Sequence, residues 1–237
     1  MPSTNPVYVA LDTTESAKAA AFARQLTGRV GGFKLGLEYF VTNGPAGMEA
    51  VSRLGMPLFV DLKLHDIPNT VAAAIRGVVR LKAAITTIHA SGGAAMIRAA
   101  ADAARDEADK LGVSPPAVVA VTILTSLDQA GAEAVGFGGP VLEQVKRLAA
   151  LAQDSGADGI VCSPLEVEAV RAQCGPGFKL VIPGIRPAWS EAGDQKRFLT
   201  PAEARAKGAD VLVIGRPIIA AADPVEAADR IRAELGL

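Results

Sequence analysis

At 237 residues, half of them hydrophobic, the chain is long enough to bury about 70–75% of its unfolded surface around one core, so a single domain over residues 1–237 is the simplest expectation. A formal charge of −1 at pH 7, with both signs interspersed, supplies no basic field and argues against a nucleic-acid binder. Cys162 and Cys174 are too few for a disulfide framework and lack zinc-like spacing, no basic-then-apolar leader opens the sequence, and no apolar run reaches the ~18 residues of a membrane span, so a reducing cytoplasm is the expected location.

Short apolar, β-branched runs alternate with longer Ala-rich stretches whose charges recur at helical spacing. The first strand is expected at Val7–Leu11, with Asp12 just beyond it, and a helix follows over Ser16–Leu26. Strand two, Gly32–Leu35, carries Lys34 and precedes a helix at Gly44–Leu54. The third strand, Leu58–Leu62, runs into Asp61-Leu62-Lys63-Leu64-His65-Asp66, where two carboxylates and an ammonium end an apolar segment. Strand alternation puts Asp61 and Lys63 on one face. Carboxylates beside an ammonium favour its charged form, which makes Lys63 a candidate proton donor. A structural ion pair at a strand end is the alternative. Asp66 falls in a turn punctuated by Pro68.

A helix at Asn69–Arg80 leads to a fourth strand, Ala84–Ala90, with His89 near its end, and to a helix at Gly93–Leu111. The fifth strand, Val118–Thr122, is followed by Thr125 and Ser126, then by a helix at Pro140–Gly156. Strand six at Gly159–Ser163, a helix at Pro164–Gln173 and strand seven at Lys179–Pro183 continue the pattern. Pro183-Gly184-Ile185-Arg186 leaves strand seven, and a long polar loop then reaches Thr200: a lid over a ligand or a plain surface loop. A helix at Pro201–Lys207, strand eight at Val211–Gly215 with Arg216 after it, and a helix at Pro224–Glu234 complete the chain.

Eight such units match the α/β class and, within it, a (β/α)8 TIM barrel of parallel strands, with an open doubly wound sheet as the alternative. Closure would gather the polar residues at the strands' carboxyl ends around one mouth. Glycine at positions 184 and 215, a following helix N-terminus and the planar donors of Arg186 and Arg216 then suit a phosphate, although a Gly-Arg pair alone is an ordinary turn. His65 and His89 receive no role, Cys162 and Cys174 read as packing residues, and Trp189 reads as loop packing.

The stretch Asp61-Leu62-Lys63-Leu64-His65-Asp66-Ile67-Pro68-Asn69-Thr70 resembles the signature of the orotidine 5'-phosphate decarboxylase family. Ala10-Leu11-Asp12, the Lys34 strand, Val121 to Ser126, Pro183 to Arg186, Asp194-Gln195 and Ile214-Gly215-Arg216 follow in the family's order. The resemblance implies a homodimeric, cytoplasmic barrel of the single-function bacterial type that makes uridine 5'-phosphate without metal or cofactor. It also implies roles: Lys63 as proton donor to pyrimidine C6, Asp61 facing the substrate carboxylate, and Lys34 binding ribose and closing the charge chain. Asp66, Ile67 and Thr70 would reach the neighbouring subunit's site. Asp12 would take a ribose hydroxyl, Thr125 the pyrimidine, Gln195 base and phosphate together, and Arg186, Gly215 and Arg216 the phosphate. A metal-dependent phosphosugar decarboxylase of the same superfamily is the rival, with Glu38 its only candidate metal-binding acid and Thr125-Ser126-Leu127-Asp128 where its histidine would stand. A non-catalytic barrel that binds a phosphorylated metabolite is the other.

Overall fold

The computed structural model describes residues 5–190 and 199–237. Strands β1 (Val7–Ala10), β2 (Gly32–Gly36), β3 (Leu58–Leu64), β4 (Ile85–His89), β5 (Ala117–Val121), β6 (Gly159–Val161), β7 (Lys179–Ile182) and β8 (Val211–Ile214) close in sequence order into one barrel. Each pairs in parallel with its neighbours, and β8 pairs back onto β1 through Val7↔Leu212 to Val9↔Ile214. The open-sheet alternative is thereby excluded. The helices are α1 (Ser16–Leu26), α2 (Leu37–Ser52), α3 (Pro68–Arg80), α4 (Gly93–Leu111), α5 (Gln129–Ala134), α6 (Val141–Asp154), α7 (Val167–Cys174), α8 (Pro201–Ala206), α9 (Arg216–Ile219) and α10 (Pro224–Glu234). Among the described residues no helix is long and apolar enough to cross a membrane.

Strand alternation divides the apolar side chains into two clusters. The larger joins outward strand residues such as Val9, Phe33, Leu35, Val60 and Ile88 to the helices' inner faces. On α4 that face is Met96, Ile97, Ala100, Ala104 and Ala108, a helical period whose small side chains let the helix lie close to the sheet. The smaller cluster, Ala10, Phe59, Ile85, Val119, Val181, Val211 and Val213, fills the barrel interior. Tyr8 meets Phe59 edge to face there, with ring centroids 6.4 Å apart. Gly32 makes room for that ring, since a Cβ at this position would lie 2.4 Å from Tyr8 Cε1 and 2.5 Å from the Pro57 carbonyl oxygen. The interior is packed, so a ligand is left only the end where the strands finish.

Local chemistry sets the helix ends. Pro224 occupies the first turn of α10, and the Asp223 side chain accepts from the Val225 and Glu226 N–H groups. Thr200 and Glu203 form a capping box on α8. The expected helix at Gly44–Leu54 is the second half of α2, which begins seven residues earlier and kinks at Gly44 (φ 61°), with Pro45 starting the new segment. The short helices α5 and α9 were not expected. The segment at Pro164 opens as a 3-10 turn, Pro164–Glu166, before α7.

Candidate active site

Three strand ends set charged side chains in a row. Lys34, inward on β2, places Nζ 3.8 Å from Asp12 Oδ1 beyond β1 and 3.4 Å from Asp61 Oδ2 on β3. Lys63 Nζ donates to both Asp61 oxygens, at 2.8 and 2.9 Å. Asp61, only 8% exposed, is thus a nearly buried carboxylate between two ammonium groups. Burial alone would push its carboxyl up. The charges of Lys34 and Lys63, with hydrogen bonds from Lys63 and Thr87, outweigh burial and hold it below the ordinary carboxylate range. The charge row is therefore electrostatically satisfied at its centre.

The route by which Lys63 reaches Asp61 differs from simple alternation. Pairing of β3 with β4 jumps from Val60↔Thr86 to Leu64↔Ile88, so the intervening residues of β3 bulge. Lys63 sits at the bulge in left-handed backbone, φ 51°, which costs a non-glycine residue about 1 kcal/mol. Its main-chain N–H donates to Thr87 Oγ1 at 2.8 Å, and that hydroxyl donates to Asp61 Oδ1 at 3.0 Å. Thr87 is fully buried.

Two cavities open around this row. One, about 160 Å³, is bounded by Lys34, Asp61, Lys63 and Thr125 on its polar side and by Val121, Ile123, Leu124, Val161 and Val181 on the other. It suits a flat, mostly apolar ring with a polar edge. The second, about 210 Å³, is bordered by Asp12, Gly184, Arg186, Gly215 and Arg216. Lys34, Asp61, Pro183 and Val213 line both, so the charge row forms the wall between them. Gly184 has φ 74°, and a Cβ at Gly215 would stand 3.3 Å from Asp12 Oδ2. Glycine at these positions leaves the backbone open to close approach by an anion. The helix after β8 is α9, with Arg216 first and Pro217, which has no N–H, second.

The described structure thus gathers Asp12, Lys34, Asp61, Lys63, Thr125, Arg186, Gly215 and Arg216 around one mouth. Asp66, Ile67 and Thr70 stand apart: all three are exposed, and Asp66 Oδ1 accepts its neighbour's Ile67 N–H at 2.6 Å. Gln195 and Asp194, with most of the long loop, lie outside the described residues. Glu38 is exposed and borders neither cavity. The Arg230 guanidinium lies 4.2 Å from the Trp189 ring centre, and the indole remains exposed. The rings of His65 and His89 stack at 5.3 Å. Burial, then the charges of His65 and Lys63, lower the His89 pKa against the opposing pull of Asp61. Burial raises both thiols, Cys162 well above the ordinary range, in keeping with packing roles. Thr87 and the apolar lining from β6 and β7, Val161 and Val181, are positions at the site that the sequence did not nominate. Shared parity with His89, which stands near the strand's carboxyl end, was the available signal for Thr87.

Residues 5–231 match the model of the Orotidine 5'-phosphate decarboxylase / HUMPS family. The chain is 86% identical over 233 residues to an orotidine 5'-phosphate decarboxylase of Paramagnetospirillum magneticum, covering 98% of this chain and 99% of that protein. It is 54% identical to the enzyme of that name from Rhodospirillum rubrum, with 98% and 94% covered. The crystal structure of orotidine 5'-phosphate decarboxylase from Lactobacillus acidophilus superimposes with a TM-score of 0.88 at 36% identity, covering 98% of this chain and all of that one. Barrel, charge row and whole-length similarity agree, and the chain belongs to the orotidine 5'-phosphate decarboxylase / HUMPS family of enzymes.

Proposed function

We propose that this chain converts orotidine 5'-phosphate to uridine 5'-phosphate and CO2 in pyrimidine biosynthesis, without a metal, in the cytoplasm, with residues 1–237 acting as one barrel domain. The observation that carries the reading is an ammonium held 2.8 and 2.9 Å from a nearly buried carboxylate, between an apolar cavity and one bordered by two arginines. The names and high identity of the relatives support the substrate.

The C6–carboxylate bond breaks, its electron pair stays on C6, and CO2 leaves. No neighbouring carbonyl delocalises that pair directly, so fixed charge must stabilise it. Lys63 supplies that charge and then transfers an N–H proton to C6, becoming an amine that solvent reprotonates. Asp61 orients Lys63 and faces the departing carboxylate. Lys34 and Asp12 take the ribose hydroxyls, and Thr125 contacts the pyrimidine. Arg186, Gly215 and Arg216 hold the phosphate, with Gln195 bridging base and phosphate. Grip on the phosphate, remote from C6, is converted into placement of the ring against the ammonium.

A homodimer completes the site in this reading, with Asp66, Ile67 and Thr70 entering the neighbouring subunit. Their exposure, and that of the apolar Leu37, Val41 and Ile67 at 58%, 75% and 66%, supports a protein-covered rim. Mixing Lys63→Ala and Asp66→Ala subunits, each inactive alone, is expected to restore about a quarter of the parent's sites, because only the hybrid dimer assembles an intact one. No recovery after subunit exchange would mean that Asp66 serves its own barrel.

Loss of orotidine 5'-phosphate absorbance, followed with and without a chelator, tests the activity itself. Chelator-resistant turnover is expected. Chelator-sensitive turnover of a phosphosugar would establish the rival decarboxylase, and nucleotide binding without turnover a non-catalytic barrel.

A further inference from the structure

We infer that Thr87 is a positioning residue of the proposed decarboxylation: its hydroxyl fixes the Asp61 carboxylate and the Lys63 backbone in one geometry. The hydroxyl donates to Asp61 Oδ1 at 3.0 Å and accepts the Lys63 main-chain N–H at 2.8 Å. A hydroxyl carries one donor and two acceptor sites, so it can make both bonds at once. The register jump between Val60 and Leu64 takes Lys63 out of the regular β3–β4 ladder, and the Thr87 side chain receives the N–H instead. Lys63 is held in left-handed backbone at this point, a conformation that persists only where its surroundings over-determine it. The same oxygen thus orients Asp61 and anchors the turn that aims Lys63 at it.

The neighbouring Thr86 supplies an internal contrast. It is equally buried but points outward from the barrel, and its Oγ1 makes no hydrogen bond among the described residues. Burial of a threonine in β4 does not by itself produce the Thr87 arrangement. Parity does, because Ile85, Thr87 and His89 are the inward positions of that strand.

The inference deepens the proposed function and rests on it, so its test needs one readout that depends on turnover and one that does not. Thr87→Val keeps shape and removes both bonds. It is expected to lower kcat about 10- to 100-fold, the range spanned by hydrogen bonds to a charged group. Affinity for uridine 5'-phosphate should stay within about threefold of the parent's, because the phosphate and ribose contacts lie elsewhere. Thr87→Ser should recover most of the lost kcat, Thr87→Ala should repeat the loss without an added methyl, and Thr86→Val should match the parent. In parallel, a 13C titration of the Asp61 carboxyl is expected to give a higher midpoint in Thr87→Val than in the parent, since one of the bonds that lower it is gone. Parental kcat in Thr87→Val, equal falls in kcat and nucleotide affinity, no recovery in Thr87→Ser, or an unmoved Asp61 midpoint would each overturn the inference. A parent protein that fails to consume orotidine 5'-phosphate while the midpoint still moves would sink the proposed reaction and leave the positioning geometry standing.

Discussion

Lys63→Ala is expected to lose turnover of orotidine 5'-phosphate by about 10⁴-fold or more, while uridine 5'-phosphate still binds. The loss is large because one group is asked both to offset the charge that develops on C6 and to supply the proton. Binding survives because the second cavity, with Arg186, Gly215 and Arg216, does not include Lys63. Lys63→Arg separates the two duties. A guanidinium keeps a positive charge near Asp61 but does not release a proton at accessible pH, so this variant is expected to remain close to the alanine one. Single-turnover kinetics with product binding measured alongside checks both. Turnover near the parent's in either variant would remove Lys63 from the assigned role.

Arg171→Ala is expected to destabilise the fold by about 3 kcal/mol, a fall in Tm on the order of 10 °C for a chain of this size, with kcat unchanged in the surviving protein. From α7 this side chain donates to the Gly208, Gly175 and Phe178 carbonyls and to Asp210 Oδ2. It joins the chain entering β7 to the chain entering β8, at the end of the barrel opposite the charge row. Asp210 Oδ2 also accepts the Leu180 N–H. Removing the guanidinium strands carbonyls that no alanine can satisfy and leaves Asp210 without its cation. Gly208, with φ 101°, belongs to the same arrangement, since a Cβ there would press 2.9 Å from Arg171 Cγ. Thermal unfolding and steady-state kinetics on the same sample decide the point: unchanged Tm refutes the clamp, and a matched fall in kcat would mean that this end of the barrel reaches the chemistry.

The barrel was legible because alternation of apolar runs with helical periods is a local signal. The boundaries of α1, α4 and α10 follow from Ser16, Gly93 and Pro224 together with the buried faces behind them. At α2 the Gly44-Pro45 pair carried a true start signal, but for the second segment of a kinked helix, and it concealed the turn at Leu37–Phe40. Helices α5 and α9 are too short to show a period. At the site, residue type and position after a strand were enough to nominate Asp12, Lys34, Asp61, Lys63, Arg186 and Arg216. Thr87 was not nominated, because a β-branched residue inside a strand reads as sheet packing and its partners are fixed only by the irregular register of β3 against β4. The left-handed backbone at Lys63 was hidden for the same reason: alternation predicts the correct neighbour by an incorrect path. In the proposed dimer Asp66, Ile67 and Thr70 act beside a second subunit, and contacts of that kind are not encoded in a single chain's apolar pattern.

Because Lys34 and Asp61 border both cavities, any occupant long enough to fill the two must straddle a partition made of alternating charge. Anchoring its anionic tail in one chamber determines how far its ring can slide in the other, much as a key's shoulder fixes the depth of its blade. In the proposed reaction, selection for length follows: a guest confined to the chamber without Lys63 never reaches the ammonium.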